Sequence, residues 1–344
     1  MLRLLLLLSF FLWYSTPVLS QNTPADLFSG KMMVLISGAP DASPYLEWQE
    51  LAEALHPALV AAGADPIGYF ELEEVALSEE SQQRFAAGFA QRQVQKIAIL
   101  TRKSSGKITC SIMPFQPNRE MVRVDELWQL ESNNASDFYA EMETLGQQLS
   151  STNFLVLQVP EFPSIAGGAA GASAGSTGNA GSARFLRSKP LNLDVFALGI
   201  PLAGFQAGAG LLNNFRYDRL GLSESRIALE RTKEQQDLER LFEAYYPHRF
   251  VFLDQPQERQ SLLNQRIQFI LSKLEGRESD LMESMGFPVP ADRNTQRIVT
   301  KYYIKFLVRD ENYAGAQWDA AEDPGQALEN FLLQLHPATA DREK

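Results

Sequence analysis

"KIAILTRKSSGKITCSIMPF", Lys96 to Phe115, decides the fold class. Two apolar runs, "KIAIL" and "KITCSIMPF", flank "TRKSSG", and spacing and turn chemistry make them a β-hairpin. Within the second run Ile108, Cys110 and Ile112 alternate with Lys107, Thr109 and Ser111. At strand period the thiol points inward with the isoleucines, so Cys110 reads as a buried structural cysteine. Upstream the pattern changes. "KMMVLIS", Lys31 to Ser37, reads as a buried strand. Leu46, Leu51, Leu55, Leu59 and Val60 then recur at helical spacing until Gly63. Ser43 is placed as the N-cap and Pro44 at the first helical position, and Pro57 predicts a kink or split. "DPIGYFEL" is the next strand, and Ser78 opens the helix "SEESQQRFAAGFAQRQVQ". After the hairpin a longer link leads to a helix at about Ala135 to Leu149. The order β-α-β-α-β-β-α defines an α/β class.

The second half reads in the same order. "NLDVFALGI" from Asn192 is a strand, Ser223 to Tyr246 a charged helix, and "HRFVFLD" a strand. A helix is expected where Leu263, Ile267, Ile270, Leu271 and Leu274 share a face before Gly276. "RIVTKYYIKFLVR" is a long strand, "DENYAG" a turn, "AQWD" the return strand, and Pro324 to Leu335 the last helix. "NFLVLQV" from Asn153 is an extra strand that either half can claim. The expected division is a signal peptide at 1–20, α/β domains at 27–160 and 191–336, a flexible loop or linker at 161–190, and a disordered tail at 337–344. Element order alone supports a diverged tandem duplication, because residue identity between the halves is negligible.

This element order resembles that of thioredoxin-like domains. The family's redox motif, two cysteines separated by two residues after the first strand, is absent; Gly38-Ala39-Pro40-Asp41-Ala42-Ser43 stands there. The proline that usually precedes the third strand is also missing before Lys96. The resemblance therefore implies non-catalytic members of that family, without thiol–disulfide chemistry.

The N-terminus sets the expected address. Arg3 precedes an apolar run from Leu4 to about Tyr14, and Val18-Leu19-Ser20 suits cleavage after Ser20. The run is too short to span a membrane and reads as a secretory signal peptide, so the protein is expected to be periplasmic or secreted. No membrane span is expected after cleavage. The formal charge of the chain is −11. Such an acidic chain repels phosphate backbones, which excludes nucleic acid as an expected partner. One cysteine in an exported chain means no internal disulfide.

Several local motifs match catalytic or ligand-binding signatures in part. Gly171-Ala172-Ser173-Ala174-Gly175 matches the G-x-S-x-G of a hydrolase nucleophile elbow. From Ala166 to Ala183, however, 16 of 18 residues are Gly, Ala or Ser, and no strand runs into the match and no helix leaves it. A composition match on a flexible connector cannot fix a nucleophile. "GSTGNAGS" lacks the P-loop lysine. "GAGLLN" has Gly208 and Gly210 but Asn213 at the third glycine of a dinucleotide fingerprint. The uncharged run Phe196 to Leu212 contains Pro201 and four glycines, and reads as a buried strand entering a close-packed loop. His56, facing solvent or a helix neighbour, His248 and His336 have no metal-ligand spacing.

Two constellations remain. In "DENYAGAQWDAAED" the oxygens of Asp310, Asn312, Asp319 and Glu322 are a candidate Ca²⁺ set, although Ala314 and Ala321 fall where an EF-hand loop needs ligands. The competing reading is a hairpin turn followed by the acidic first turn of a helix. Tyr245, Tyr246, Tyr302 and Tyr303 form a candidate aromatic surface for a partner. The sequence thus points to a non-enzymatic envelope protein that binds a protein or peptide. The alternatives are a hydrolase whose Asp and Glu residues are assembled by the fold, or a weak Ca²⁺ binder.

Overall fold

The computed structural model describes residues 23–39, 42, 44–103, 105–118, 120–149, 151–165, 185–202, 211–218, 224–254, 257–291 and 296–336. Ser43, Ser173, Gly208 and Gly210 lie outside them, as does the N-terminal apolar run. The fold is α/β, with two mixed sheets of five and six strands.

The first sheet has the order β2-β1-β3-β4-β5. β1 (Lys31–Ile36), β2 (Asp65–Glu71) and β3 (Lys96–Arg102) are parallel. β4 (Ile108–Pro114) and β5 (Trp128–Ser132) continue the sheet antiparallel, so the hairpin closes a parallel core. β5 arises inside the stretch expected to be a link. Both faces of the sheet are covered, which explains the unbroken apolar run of β1. Met32, Val34 and Ile36 face α1 (Trp48–Ala61) and α4 (Ala135–Gln148). Met33 and Leu35 face α2 (Leu72–Val75) and α3 (Glu79–Gln91). Cys110 is buried on the α1/α4 face, where burial pushes its thiol up to about 12. Thr109 and Ser111 are buried too, because the opposite face is not solvent.

The second sheet has the order β8-β7-β9-β10-β11-β6. β7 (Ala197–Pro201) runs parallel to β8 (Phe250–Leu253) and β9 (Ile267–Arg277). β10 (Ile298–Phe306) and β11 (Glu311–Tyr313) follow antiparallel. The first five strands therefore repeat the first sheet in order and direction. β6 (Phe185–Leu186), within the expected linker, adds a parallel edge to β11. α5 (Glu224–Tyr245) and α8 (Pro324–Leu335) share one face, as α1 and α4 do. α6 (Arg259–Asn264) and α7 (Glu278–Ser284) pack on the other.

Several local expectations are corrected. α1 begins at Trp48 rather than at Pro44, because Glu50 reaches back to the Glu47 amide at 3.0 Å. It runs unbroken through Pro57. The expected helix over Leu263–Leu274 is a short α6, ended at Arg266 with φ +63°, followed by β9. Ile267, Phe269 and Leu271 also alternate at strand period, and nine-residue pairing with β10 selects that reading. The return strand is Glu311–Tyr313, not "AQWD". "NFLVLQV" is an irregular extended segment rather than a strand.

A buried ion pair fixes the entry to α8. The fully buried Lys301 ammonium lies 2.7 Å from Asp319 Oδ1 and donates to the carbonyls of Tyr302 (2.8 Å) and Ala314 (2.5 Å). Gln334 donates to Asp319 Oδ2 at 2.6 Å, and the Phe331 ring lies 4.7 Å from the ammonium. Removing one member of such a pair strands a charge in the core. Asp319→Ala is expected to cost about 3–5 kcal/mol in urea unfolding, whereas Lys301→Met with Asp319→Leu together is expected to cost far less. Equal losses would show that the pair contributes packing alone.

Candidate functional site

In open α/β sheets, ligands sit beyond the carboxyl ends of the parallel strands, where the strand order reverses. In the first sheet that place follows β1, between β2 and β3, and the chain fills it itself. Ser37 Oγ donates to Glu73 Oε1 at 2.7 Å, and the Gly38 amide donates to Glu73 Oε2 at 2.7 Å. The Tyr217 amide, brought in at φ +49°, donates to Ser37 Oγ (3.0 Å) and Glu73 Oε1 (3.2 Å). Burial pushes the Glu73 carboxyl above its ordinary range, against the pull of Arg216 and these donors. The Arg216 guanidinium also donates to the Glu275 carbonyl, and Glu71 pairs with Arg277. Leu212 and Phe215 pack into the first sheet's core. The site is a lock between the halves.

A second arrangement lies along the edge of the first sheet. The segment from Asn153 to Ile165 is pinned at successive points. Asn153 Oδ1 accepts from the Gly30 amide (3.0 Å), and its Nδ2 donates to the carbonyls of Phe28 (2.7 Å) and Gly63 (2.9 Å). His56 Nε2 meets the Leu157 carbonyl at 3.0 Å, and Nδ1 meets the Tyr69 hydroxyl at 2.9 Å. The carbonyl admits only the Nε2–H tautomer, so Nδ1 of the neutral ring accepts from Tyr69. Burial lowers the His56 pKa and keeps the ring neutral. The Tyr69 amide donates to the Glu161 carbonyl at 2.9 Å, which covers the edge of β2. Phe162 meets Trp48 edge-on at 5.4 Å, and Pro163 lies over Gly68, where a side chain would collide with it. Between these anchors the strap turns apolar side chains outward: Phe154 is 95% exposed and Leu155 94%, with Leu157 and Val159 also exposed.

A third arrangement is a cavity of ≈ 290 Å³ in the second half. On β9 and β10 the inward face is apolar at Phe269, Leu271 and Ile304, then polar from Lys273 and its partner Tyr302 to Glu275 and its partner Thr300. α5 changes in step, from buried Leu238, Leu241 and Phe242 to Asp237, Glu234 and Lys233. The cavity lies where both patterns change, beside the first turn of α8. Lys273 pairs with Glu234, Arg240 with Asp237 (2.9 Å), and Lys233 with Asp323 (3.2 Å).

The sequence candidates are dispersed. Tyr246, Tyr302 and Tyr303 are buried; Tyr302 faces α5 and α8, while Tyr303 packs on the opposite face against Phe185. Tyr245 is half-buried and donates to Glu329 at 2.9 Å. The four do not form one exposed surface. Asp310 lies 3.4 Å from Lys305, Asp319 faces Lys301, and Glu322 lies 3.5 Å from Arg297, while Asn312 is buried on β11. Among the described residues no three of His, Cys, Asp and Glu are placed to hold a metal ion. No described helix is long and apolar enough to cross a membrane. His56 is buried rather than facing solvent, because its ring carries the strap. Comparison with known protein families, curated sequences and solved structures finds no match for this chain.

His336 and His248 come together with ring centroids 4.7 Å apart, and burial together with His248 pushes the His336 ring down to about 4. A histidine depressed when folded contributes fully above its unfolded value near 6.5 and loses that contribution as pH falls. The melting temperature is expected to decline between pH 6.5 and 4, and His336→Phe to flatten part of that decline. An identical slope in the variant would remove His336 from the acid response.

Proposed function

We propose that this is a non-enzymatic protein of the cell envelope or exterior that binds a protein or peptide through the strap Asn153–Ile165. One observation supports this reading: a tightly anchored backbone holds Phe154 and Leu155 almost wholly in solvent. Exposed large apolar side chains grouped on one segment mark an interaction surface. Their anchoring matters as much as their exposure, because a segment already fixed loses little further entropy on binding. The envelope address rests on the N-terminal sequence. The acidic charge of the chain fits a protein partner better than nucleic acid. The thioredoxin-like element order would place the chain in a non-redox branch, since the cysteine pair is absent.

The second reading is hydrolysis by carboxylates. It draws on the cavity, which gathers Glu234, Asp237 and Glu275 in one concave site.

The test is affinity capture of the tagged chain from Gln21 to Lys344, after mild cross-linking in its own envelope fraction. Phe154→Ser with Leu155→Ser is expected to leave the melting temperature within about 2 °C of the parent, since surface changes are usually within ±0.5 kcal/mol. The same change is expected to abolish capture of the partner. Capture that survives the double substitution would refute the strap as the binding element.

A further inference from the structure

α5 and α8 share one face of the second sheet, and their C-terminal ends gather three polar rings. Pro247 stops the chain from continuing α5 beyond Tyr246, and His248 follows on the way into β8. His336 is the residue that ends α8. The His248 and His336 rings stand 4.7 Å apart, and Tyr246 lies 5.6 Å from the first and 5.3 Å from the second. No sequence spacing announces this pair; the packing of α5 beside α8 creates it. Two atoms of the cluster are left over by that packing. The Tyr246 hydroxyl and His336 Nε2 are both buried, and neither makes a hydrogen bond. Tyr246 as a whole is only 4% exposed. Buried polar atoms without partners are costly, and two of them in one place call for a bound ion, water or ligand.

The surroundings select the ligand. Burial raises the Tyr246 pKa and lowers that of His336, so at neutral pH the cluster offers a phenol and an uncharged imidazole. Helix C-termini carry the negative ends of their dipoles, and here two of them meet with no basic residue in either last turn. That field favours a cation; Lys189, which acts on His336, opposes it. Imidazole nitrogen suits zinc, copper and nickel, whereas calcium and magnesium need oxygen ligands. A metal–nitrogen bond of about 2.0–2.1 Å puts two imidazoles on one tetrahedral ion with centroids about 5 Å apart. The pair at 4.7 Å is a small ring rotation from that spacing.

We propose that His248 and His336 hold a zinc-class divalent ion, with waters completing its coordination and the Tyr246 hydroxyl hydrogen-bonded to one of them. The ion takes the lone pair of His336 Nε2, and the metal-bound water gives Tyr246 the partner it lacks. Two protein ligands make an open, exchangeable site, in keeping with the absence of any three-ligand group among the described residues. The other soft donors are engaged: both ring nitrogens of His56 are hydrogen-bonded, and Cys110 is buried. Zinc bound at neutral pH therefore reports on this pair. The site lies on the second sheet, apart from the strap on the first, so the two can be tested independently.

The experiment is isothermal titration calorimetry at neutral pH on the chain from Gln21 to Lys344, free of any polyhistidine tag. Zinc chloride is expected to fill one site, and calcium chloride none. Tyr246→Phe keeps the ring and is expected to weaken zinc about tenfold, the lower end of the cost of losing a hydrogen bond to a metal's coordination sphere. His248→Ala, at a half-buried position outside the helices, and His336→Gln are each expected to weaken it further. Should a substitution unfold the chain, diethyl pyrocarbonate labelling of the parent gives the same reading without a variant: zinc is expected to shield His248 from modification. The proposal is overturned if zinc gives no binding heat, if its affinity is unchanged in both histidine variants, if calcium binds as tightly, or if labelling of His248 is indifferent to zinc. Water is then the partner of the two buried atoms.

Discussion

The Glu73 carboxylate lies at the end of the first sheet and accepts hydrogen bonds from Ser37, Gly38 and Tyr217, residues that are distant in sequence. A buried carboxylate is tolerated only when its lone pairs are met. Here one of those donors, the Tyr217 amide, comes from the start of the second half. The requirement therefore orients that half: Tyr217 accepts a left-handed backbone, Arg216 turns to the Glu275 carbonyl, and Arg277 reaches Glu71. The usual ligand position of the first sheet is consumed in making this joint, which moves the open surfaces elsewhere.

The two sheets repeat one design and then diverge at equivalent points. In the first, the inward row of β3 runs Ala98, Leu100 and then Arg102, whose guanidinium turns to the Pro44 carbonyl and closes the end of the core. In the second, the row of β9 runs Phe269, Leu271 and then Lys273, which pairs with Glu234 and leaves a cavity. The edges differ as well. The β2 edge is covered by a strap whose own apolar side chains have no cover, and that strap carries the functional proposal.

Much of the architecture was legible. β1 and β3 were legible as apolar runs, and α4 and α8 as helices expected at about Ala135 to Leu149 and Pro324 to Leu335, which the structure caps with Asn134 and Asp323. β9 is ambiguous in sequence: Leu263, Ile267, Ile270, Leu271 and Leu274 fit a helical face, Ile267, Phe269 and Leu271 fit a strand, and pairing with β10 decides. β5 was hidden because its place depends on β4 beside it. The strap was legible as apolar but not as a strap. Its anchors, His56 and Gly30, are 101 and 123 residues from the groups they hold, and no local pattern reports such bonds. The tyrosine pairs were conspicuous in sequence, yet adjacent strand positions send Tyr302 and Tyr303 to opposite faces.

The most direct test of the central claim is to place a photo-reactive phenylalanine analogue at position 154 and irradiate the living cells that make the protein. The same analogue at the exposed helix position 143 serves as the control. A single adduct from position 154 and none from 143 is the predicted result. No adduct from 154, or the same adducts from both positions, would contradict the strap as the surface by which this protein works.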